Sequence, residues 1–401
     1  METPFTFNPF DPAVRADPFG LYARARREHP VFVHEGLPVV SVFRYGDIQR
    51  ILKDPGTWSN VFPPPPGVER RPDLPPGMLM QDPPEHTRLR GLVNQAFTPR
   101  MIRRLEPRIE QIAHELLDDA LAQRSVDLVQ ALTYPLPVIV IAEMIGIPAT
   151  DREQFKAWSD ALVENLGAGV LAPETPEMIE REIRIIDAMR AYFSRLVEER
   201  RARPREDLLS GLVASELEGS RLSFDEMLQM LILLLVAGNE TTTNLIGNAA
   251  IELMRHPDQL ARLRAAPELV PSAIEEVLRF CSPVQADVRR VRCSAEIAGQ
   301  AIEEGKNMLL WLGSANRDEA VFDRPNSFDI ARAENQHLAF GFGPHFCLGA
   351  NLARLEAQVA VRVLLHRTRS FCRTDDDALP LHPSFIFRGF TRIPVALEAA
   401  R

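Results

Sequence analysis

The 401-residue chain is 45% hydrophobic and 25% charged, which places it in the ordinary globular range with enough apolar material for a large core. A formal net charge of −9 argues against a protein whose whole surface attracts nucleic acid, although a local basic patch is still compatible with it. Four cysteines, widely spaced except for Cys281 and Cys293, exclude a disulfide framework in so large a chain and fit a reducing cytoplasm. No linker, repeat or low-complexity tract divides the sequence, so residues 1–401 are expected to form one domain.

The amino terminus, METPFTFNPFDPAVRADPF, has neither the basic nor the apolar region of a secretory signal. Residues 30–43 carry two short β-type runs around His34-Glu35-Gly36, which predicts a hairpin. Over residues 55–84 proline is frequent, with an unbroken run from Pro63 to Pro66, so neither regular helix nor inner strand fits. A loop of that length is usually functional or disordered. From His86 onward, Leu89, Val93 and Phe97 recur at helical spacing and make an apolar face; His86 and Arg90 share another, which ordinary solvation also explains. Thr98 and Pro99 read as a cap and first turn. Amphipathic helices are expected over residues 101–121, 152–166 and 178–203, with Gly167, Gly169, Pro173 and Pro176 separating the second from the third. The apolar run at residues 134–147 is interrupted by Pro135, Pro137 and Glu143, and the one at 230–237 is short, so neither predicts a membrane span.

Ser223 and Glu226 form a capping-box pattern, and a helical reading then continues to His256, where Pro257 stops it. Such a helix is about 50 Å long, and its first half is apolar on every side, which predicts burial. In its middle stands Ala237-Gly238-Asn239-Glu240-Thr241-Thr242-Thr243: poor helix formers and an ionisable group where the fold demands a buried helix. Conflicts of this kind tend to mark functional sites, although threonines back-bonding to preceding carbonyls would by themselves only bend the helix. Glu276 and Arg279 stand three apart on a further helix, the spacing of a common surface ion pair.

The densest signal comes late, in FGFGPHFCLGANLAR, residues 340–354. Gly341 and Gly343 precede Cys347, Gly349 follows it, and an apolar helical pattern begins at Leu352, so the thiol lies where a loop enters a helix. Glycine opens backbone angles closed to other residues, and a helix start offers unpaired N–H groups and a positive dipole end that favour thiolate. A lone cysteine is ordinarily a small buried hydrophobe. A zinc site would need more ligands than His345, a catalytic Cys/His pair leaves the glycines unexplained, and Phe346 stands where a dinucleotide loop has its third glycine.

The pattern FxxGxxxCxG, carried by Phe340, Gly343, Cys347 and Gly349, resembles the heme-binding loop of the cytochrome P450 superfamily. AGNETT resembles that family's AGx[DE]T segment, DPPEHTRLR its third-helix entry, and EEVLR its ExxR. ANRD, HLAFG and FDIAR also match family segments, so the resemblance covers nearly the whole chain. It implies a mainly α fold with small β-sheets, α+β, in one domain with a long central helix over the heme. Cys347 would be the proximal thiolate ligand of heme b, with Gly341 in its loop, Phe340 beneath the heme and Gly349 letting the next helix approach the ring. Ala237 and Gly238 would make room above the iron, Thr241 would hold a water beside the reacting oxygen, and Glu240 would connect that water to solvent. His86, Arg90, Arg289 and His337 would bind the propionates. Glu276 and Arg279, with Arg332, would brace the cysteine loop. Phe62, Met78, Leu79, Leu233, Val284 and Ile386 would line the substrate pocket.

The implied activity is that of a soluble bacterial heme-thiolate monooxygenase that uses O2 to oxidise an apolar small molecule: a fatty acid, terpenoid, steroid or macrolide. No flavin, iron–sulfur or nicotinamide segment is visible, so electrons would come from a separate ferredoxin or flavodoxin with its reductase, with Arg100, Arg103, Arg104 and His345 as contributors to a basic docking face. The expected setting is cytoplasmic, as a monomer without nucleic acid or membrane. A peroxide-driven heme-thiolate enzyme is the nearer alternative, but that class typically lacks the acid–alcohol pair; a non-enzymatic heme or lipid binder is the more distant one.

Overall fold

A computed structural model describes residues 5–64, 75–163, 175–217 and 219–400. Helices dominate, and among the described residues the strands form a five-stranded sheet, a three-stranded sheet and two two-stranded sheets. The hairpin expected at residues 30–43 is present: Val31–Val33 pairs antiparallel with Val39–Val42, and Gly36 takes the left-handed backbone at the turn (φ +74°). That hairpin begins a five-stranded sheet. Asn307–Leu310 joins it in parallel, Asp287–Val291 follows antiparallel with Met308 opposite Arg289, and Trp58–Ser59 closes the edge. The second sheet has Pro394–Ala399 at its centre, between Thr368–Arg373 and Ser125–Asp127.

The helix Phe224–Arg255 is the axis of the helical core. Its start is fixed by a complete capping box: Ser223 Oγ accepts the Glu226 N–H at 3.2 Å, and Glu226 Oε2 accepts the Ser223 N–H at 2.8 Å. It stays helical through the polar segment because its neighbours surround it. The helices Pro135–Ile145, Arg152–Val163 and Ala350–Arg367 all pack against it. An added Cβ on Gly238 would lie 3.0 Å from Ile141 Cδ1, so this glycine lets the Pro135–Ile145 helix come close. By length and apolarity alone the long helix would be long enough to cross a membrane, a test that a buried core helix also passes. However, 61% of its most apolar window is buried among the other helices.

The helix expected from His86 spans Glu85–Ala96, and Thr98 caps Pro99–Gln123 by accepting the Met101 N–H at 3.1 Å. Pro176 is the first residue of the helix Pro176–Ala202 rather than a breaker before it. Gly167, Gly169, Pro173 and the end of the 152–166 helix lie outside the described residues, as do Pro65 and Pro66.

Glu276 and Arg279 on the helix Val270–Phe280 are not a surface pair: both side chains have 0% exposure. Arg279 grips Glu276 in a fork at 2.7 and 2.8 Å, and Arg332 reaches the same carboxylate at 3.0 Å. The remaining donors go to the backbone carbonyls of Asn316, Asp323, Pro325 and Ser327. This charge cluster therefore ties the irregular chain of residues 316–332 to the helical core, with nearly every donor satisfied. Arg279→Met should destabilise the protein by about 3–5 kcal/mol, because it leaves a carboxylate buried without its main partner. Denaturant unfolding checks this; a loss of about 1 kcal/mol or less would be the signature of an exposed pair instead.

Candidate functional site

The segment that leads to Cys347 is shaped by two glycines in the left-handed region, Gly341 (φ +70°) and Gly343 (φ +72°). At Gly343 a Cβ would also fall 2.5 Å from the Leu52 carbonyl oxygen, so the loop can lie against the helix Tyr45–Lys53 only without a side chain. The Cys347 N–H donates to the Phe340 carbonyl at 2.9 Å, folding the loop back on itself. Gly349, with φ −82°, precedes the helix Ala350–Arg367, and an added Cβ there would touch only Cys347 Sγ, at 4.0 Å.

Burial pushes the Cys347 thiol up, against the thiolate expected from the helix start; the N–H groups of Gly349 and Ala350 and the charges of Arg90 and Arg354 pull the other way without prevailing. A sulfur in that position ionises when a cation binds it directly. Around it the chain gathers more positive charge and imidazole. His86 is buried, Arg90 is half-buried, and the rings of His86 and His345 lie 4.0 Å apart. His345 is held down to about 4 by burial and by the nearby His86 and Arg289, and its buried Nε2 has no hydrogen-bond partner. Arg289, also buried, donates Nη1 to Asp287 and to the Val288 carbonyl. No carboxylate of the described residues pairs with Arg90. A sulfur, two arginines and an orphaned imidazole nitrogen fit a planar metal-bearing group with carboxylate arms.

His337 does not join this set. Its Nε2 lies 3.0 Å from Glu275 Oε2, and its Nδ1 accepts the Ala339 N–H. Arg354 grips Glu275 with two bonds of 2.7 and 2.9 Å. Burial opposes ionisation of Glu275, but these partners outweigh it and hold the carboxyl down at about 2. His337 thus ties the loop to the Val270–Phe280 helix, and its ring nitrogens are both committed. His345, expected from the sequence on a docking face, instead carries a ring nitrogen without a hydrogen-bond partner beside His86. The distinguishing signal is three-dimensional, because both histidines stand in the same short stretch.

On the long helix, Ala237 and Thr241 are one turn apart, and the Thr241 hydroxyl donates to the Ala237 carbonyl at 2.7 Å. Glu240, beside Thr241, is pushed up to about 7 by burial, with the Asp160 charge adding and the Asn244 amide opposing. Asn239 is buried and donates to Ser159. Of the expected pocket residues, Met78 and Ile386 are buried, Phe62, Leu233 and Val284 are half-buried, and Leu79 is 44% exposed. Phe340 packs under the Arg354 guanidinium, 4.5 Å from the ring centre. Arg100, Arg103 and Arg104 are exposed.

The profile of the family described as Cytochrome P450 matches residues 29–395. A putative cytochrome P450, YjiB, of Bacillus subtilis is 43% identical over 87% of this chain and 86% of its own. Among solved structures, the cytochrome P450 CYP109Q5 of Chondromyces apiculatus superposes with a TM-score of 0.90 at 41% identity, covering 98% of each chain. CYP109E1 of Bacillus megaterium in complex with corticosterone gives 0.86 at 38% identity over 96% of this chain and 99% of that one.

The loop geometry carries its own test. Gly343→Ala forces a Cβ into a left-handed backbone and against Leu52, so it should cost more than the about 1–2 kcal/mol of strain alone. Denaturant unfolding of the variant measures it; stability equal to the parent would show that the loop does not need this close approach.

Proposed function

Because the chain belongs to the cytochrome P450 family, we propose that it oxidises an apolar small molecule of about steroid size, with electrons delivered by a separate ferredoxin or flavodoxin and its reductase. It is a monooxygenase, an oxidoreductase that carries heme b on a cysteine thiolate. Heme bound through a thiolate supplies the activation of O2 and favours O–O cleavage.

The chain's own residues do the rest. Cys347, at the mouth of its helix with N–H groups of Gly349 and Ala350 directed at the sulfur, is the residue proposed to hold the iron. Arg90, Arg289, His86 and His345 are proposed to hold the propionates, the last through its orphaned Nε2. The single observation that carries the monooxygenase assignment to particular residues is the acid–alcohol pair on the buried helix. Glu240 has its proton affinity raised to about 7, so near neutral pH it can both give up and regain a proton, and Thr241 stands next to it with a hydroxyl fixed on the Ala237 carbonyl. A fixed hydroxyl can position a water at the Ala237–Thr241 face, and the carboxyl can restore that water's proton. A peroxide-driven reaction has less need of such a pair.

The substrate class is supported by the apolar character of Met78, Leu233, Val284 and Ile386 and by the corticosterone bound to the Bacillus megaterium relative. Hydroxylation is the proposed outcome, in the cytoplasm, with the exposed Arg100, Arg103 and Arg104 offered to an acidic electron donor. His345 leaves that face because it is half-buried, with its ring tilted against that of His86 at 4.0 Å.

Two experiments test this reading. Thr241→Ala should keep heme and substrate binding while product per electron falls and hydrogen peroxide rises, measured with product, peroxide and reductant followed together; tight coupling on a substrate without hydroxyl groups would reduce Thr241 to a helix residue. Removing the His345 or Arg289 side chain as His345→Leu or Arg289→Leu should speed heme release into an apo-globin trap by about tenfold or more, from loss of a charge-assisted bond. His337→Leu should release heme at nearly the parent rate, and the reverse ranking would restore His337 as the propionate partner.

A further inference from the structure

One row of side chains along the long helix is packed less tightly than the rest. It begins at Gln229 and continues at helical spacing through Leu233 and Val236 to Ala237, the residue one turn before Thr241. Gln229, Leu233 and Val236 are half-buried, whereas Leu228, Leu231, Leu234 and Leu235 on the other faces are buried. Val236 packs against the cluster that holds Ile386 and Phe387, so the row runs from the helix start to the turn expected to touch substrate. Between that start and Ala237, its only polar side chain is the amide of Gln229.

The surroundings fix where that amide points. Asp225, four residues earlier, pairs with Arg190 of the helix Pro176–Ala202 at 2.6 Å, and Glu226, three residues earlier, pairs with Arg88 of the helix Glu85–Ala96. Gln229 therefore points between these two helices, where the short turn Met78–Met80 packs on the long helix. A Cβ added to Gly77 would lie 3.2 Å from Gln229 Oε1, so the backbone entering the turn lies against the amide. It offers no bond, and the one side chain that reaches this backbone is Gln81, whose Nε2 donates to the Pro76 carbonyl at 3.1 Å. Among the described residues the Gln229 amide has no hydrogen-bond partner.

We infer that Gln229 is a specificity-determining residue: its amide binds an uncharged oxygen, a ketone or hydroxyl, at the end of the substrate remote from the carbon that is oxidised. The inference rests on the proposed oxidation of an apolar molecule of about steroid size, and it adds a polar end to that molecule. At the rise of a helix, Gln229 lies about 12 Å from Ala237, which sets the separation between the two ends. An amide carries both donors and an acceptor, so it serves a ketone or a hydroxyl equally. It brings no charge to a carboxylate, and the arginines at this end, Arg88 and Arg190, are committed to acids. A single polar group in an otherwise apolar wall orients the ligand, because the reversed pose leaves the amide unpaired.

The ligand-induced shift of the Soret band of the ferric holoenzyme tests this, with androstanedione and its parent hydrocarbon, androstane, as the probes. Gln229→Leu should weaken androstanedione binding by about tenfold, through loss of one hydrogen bond, while androstane binds as tightly as to the parent or more tightly. Leucine suits both a helix and an apolar wall, and an unchanged spectrum of the reduced carbon monoxide complex shows that the variant is folded. Equal weakening of both steroids would overturn the inference, since a merely structural role moves them together, and so would unchanged binding of androstanedione. Hexadecanoate, a carboxylate, should bind the variant no worse than the parent; a loss of about tenfold there would overturn the restriction to uncharged oxygens. If neither steroid shifts the parent's spectrum, the steroid-size reading falls and this inference with it, an outcome distinct from steroids that bind the parent and ignore the change at Gln229.

Discussion

A carboxylate with no exposure, Glu276, holds together the part of the chain on which the site depends. Two arginines from different segments converge on it, and their remaining donors bind the backbone of residues 316–327. Irregular backbone in a protein interior needs partners for its carbonyls, and here guanidinium groups supply what secondary structure does not. The adjacent Glu275 ties the next stretch to the same helix through the side chains of His337 and Arg354. The loop of Cys347 is thus hung from two adjacent acids of one helix. Its shape is then completed by two left-handed glycines and by its closeness to Leu52.

Across from that loop, the long helix resolves a conflict between its own preferences and its surroundings. The segment from Ala237 to Thr243 is a poor helix on intrinsic grounds, yet Thr241 back-bonds to Ala237, Asn239 finds Ser159, and Glu240 finds Asn244. Burial raises the proton affinity of Glu240 into the neutral range, while the Asn244 amide opposes it by favouring the ionised form. The segment is not fully satisfied, since Asn239 Oδ1 and Thr243 Oγ1 are buried without a hydrogen-bond partner. In the proposed reading the Glu240 carboxyl is where the protein handles protons.

Much of this was legible in the sequence because it depends on short spacing. The capping box of Ser223 and Glu226, the Thr98 cap, the hairpin at Gly36 and the glycines before Cys347 are local patterns with local physical causes, and each appears where its spacing places it. Illegible features were those where identical spacing serves two environments. Glu276 and Arg279 have the separation of a surface pair, and only the packing of the 316–332 segment makes them buried. His337 and His345 lie eight positions apart in one loop, and only Glu275 tells them apart. The helix dipole at Cys347 was read correctly as a favourable influence, but its weight against burial could not be judged without the neighbours.

The central claim is that Cys347 is the ligand around which these supports are arranged, and the optical spectrum of the reduced carbon monoxide complex tests it most directly. Cys347→Ala should lose the thiolate-type Soret band, whereas Cys281→Ala, Cys293→Ala and Cys372→Ala should keep it. Retention of that band by Cys347→Ala would contradict the account, because the braced loop would then be holding a sulfur that the iron does not use.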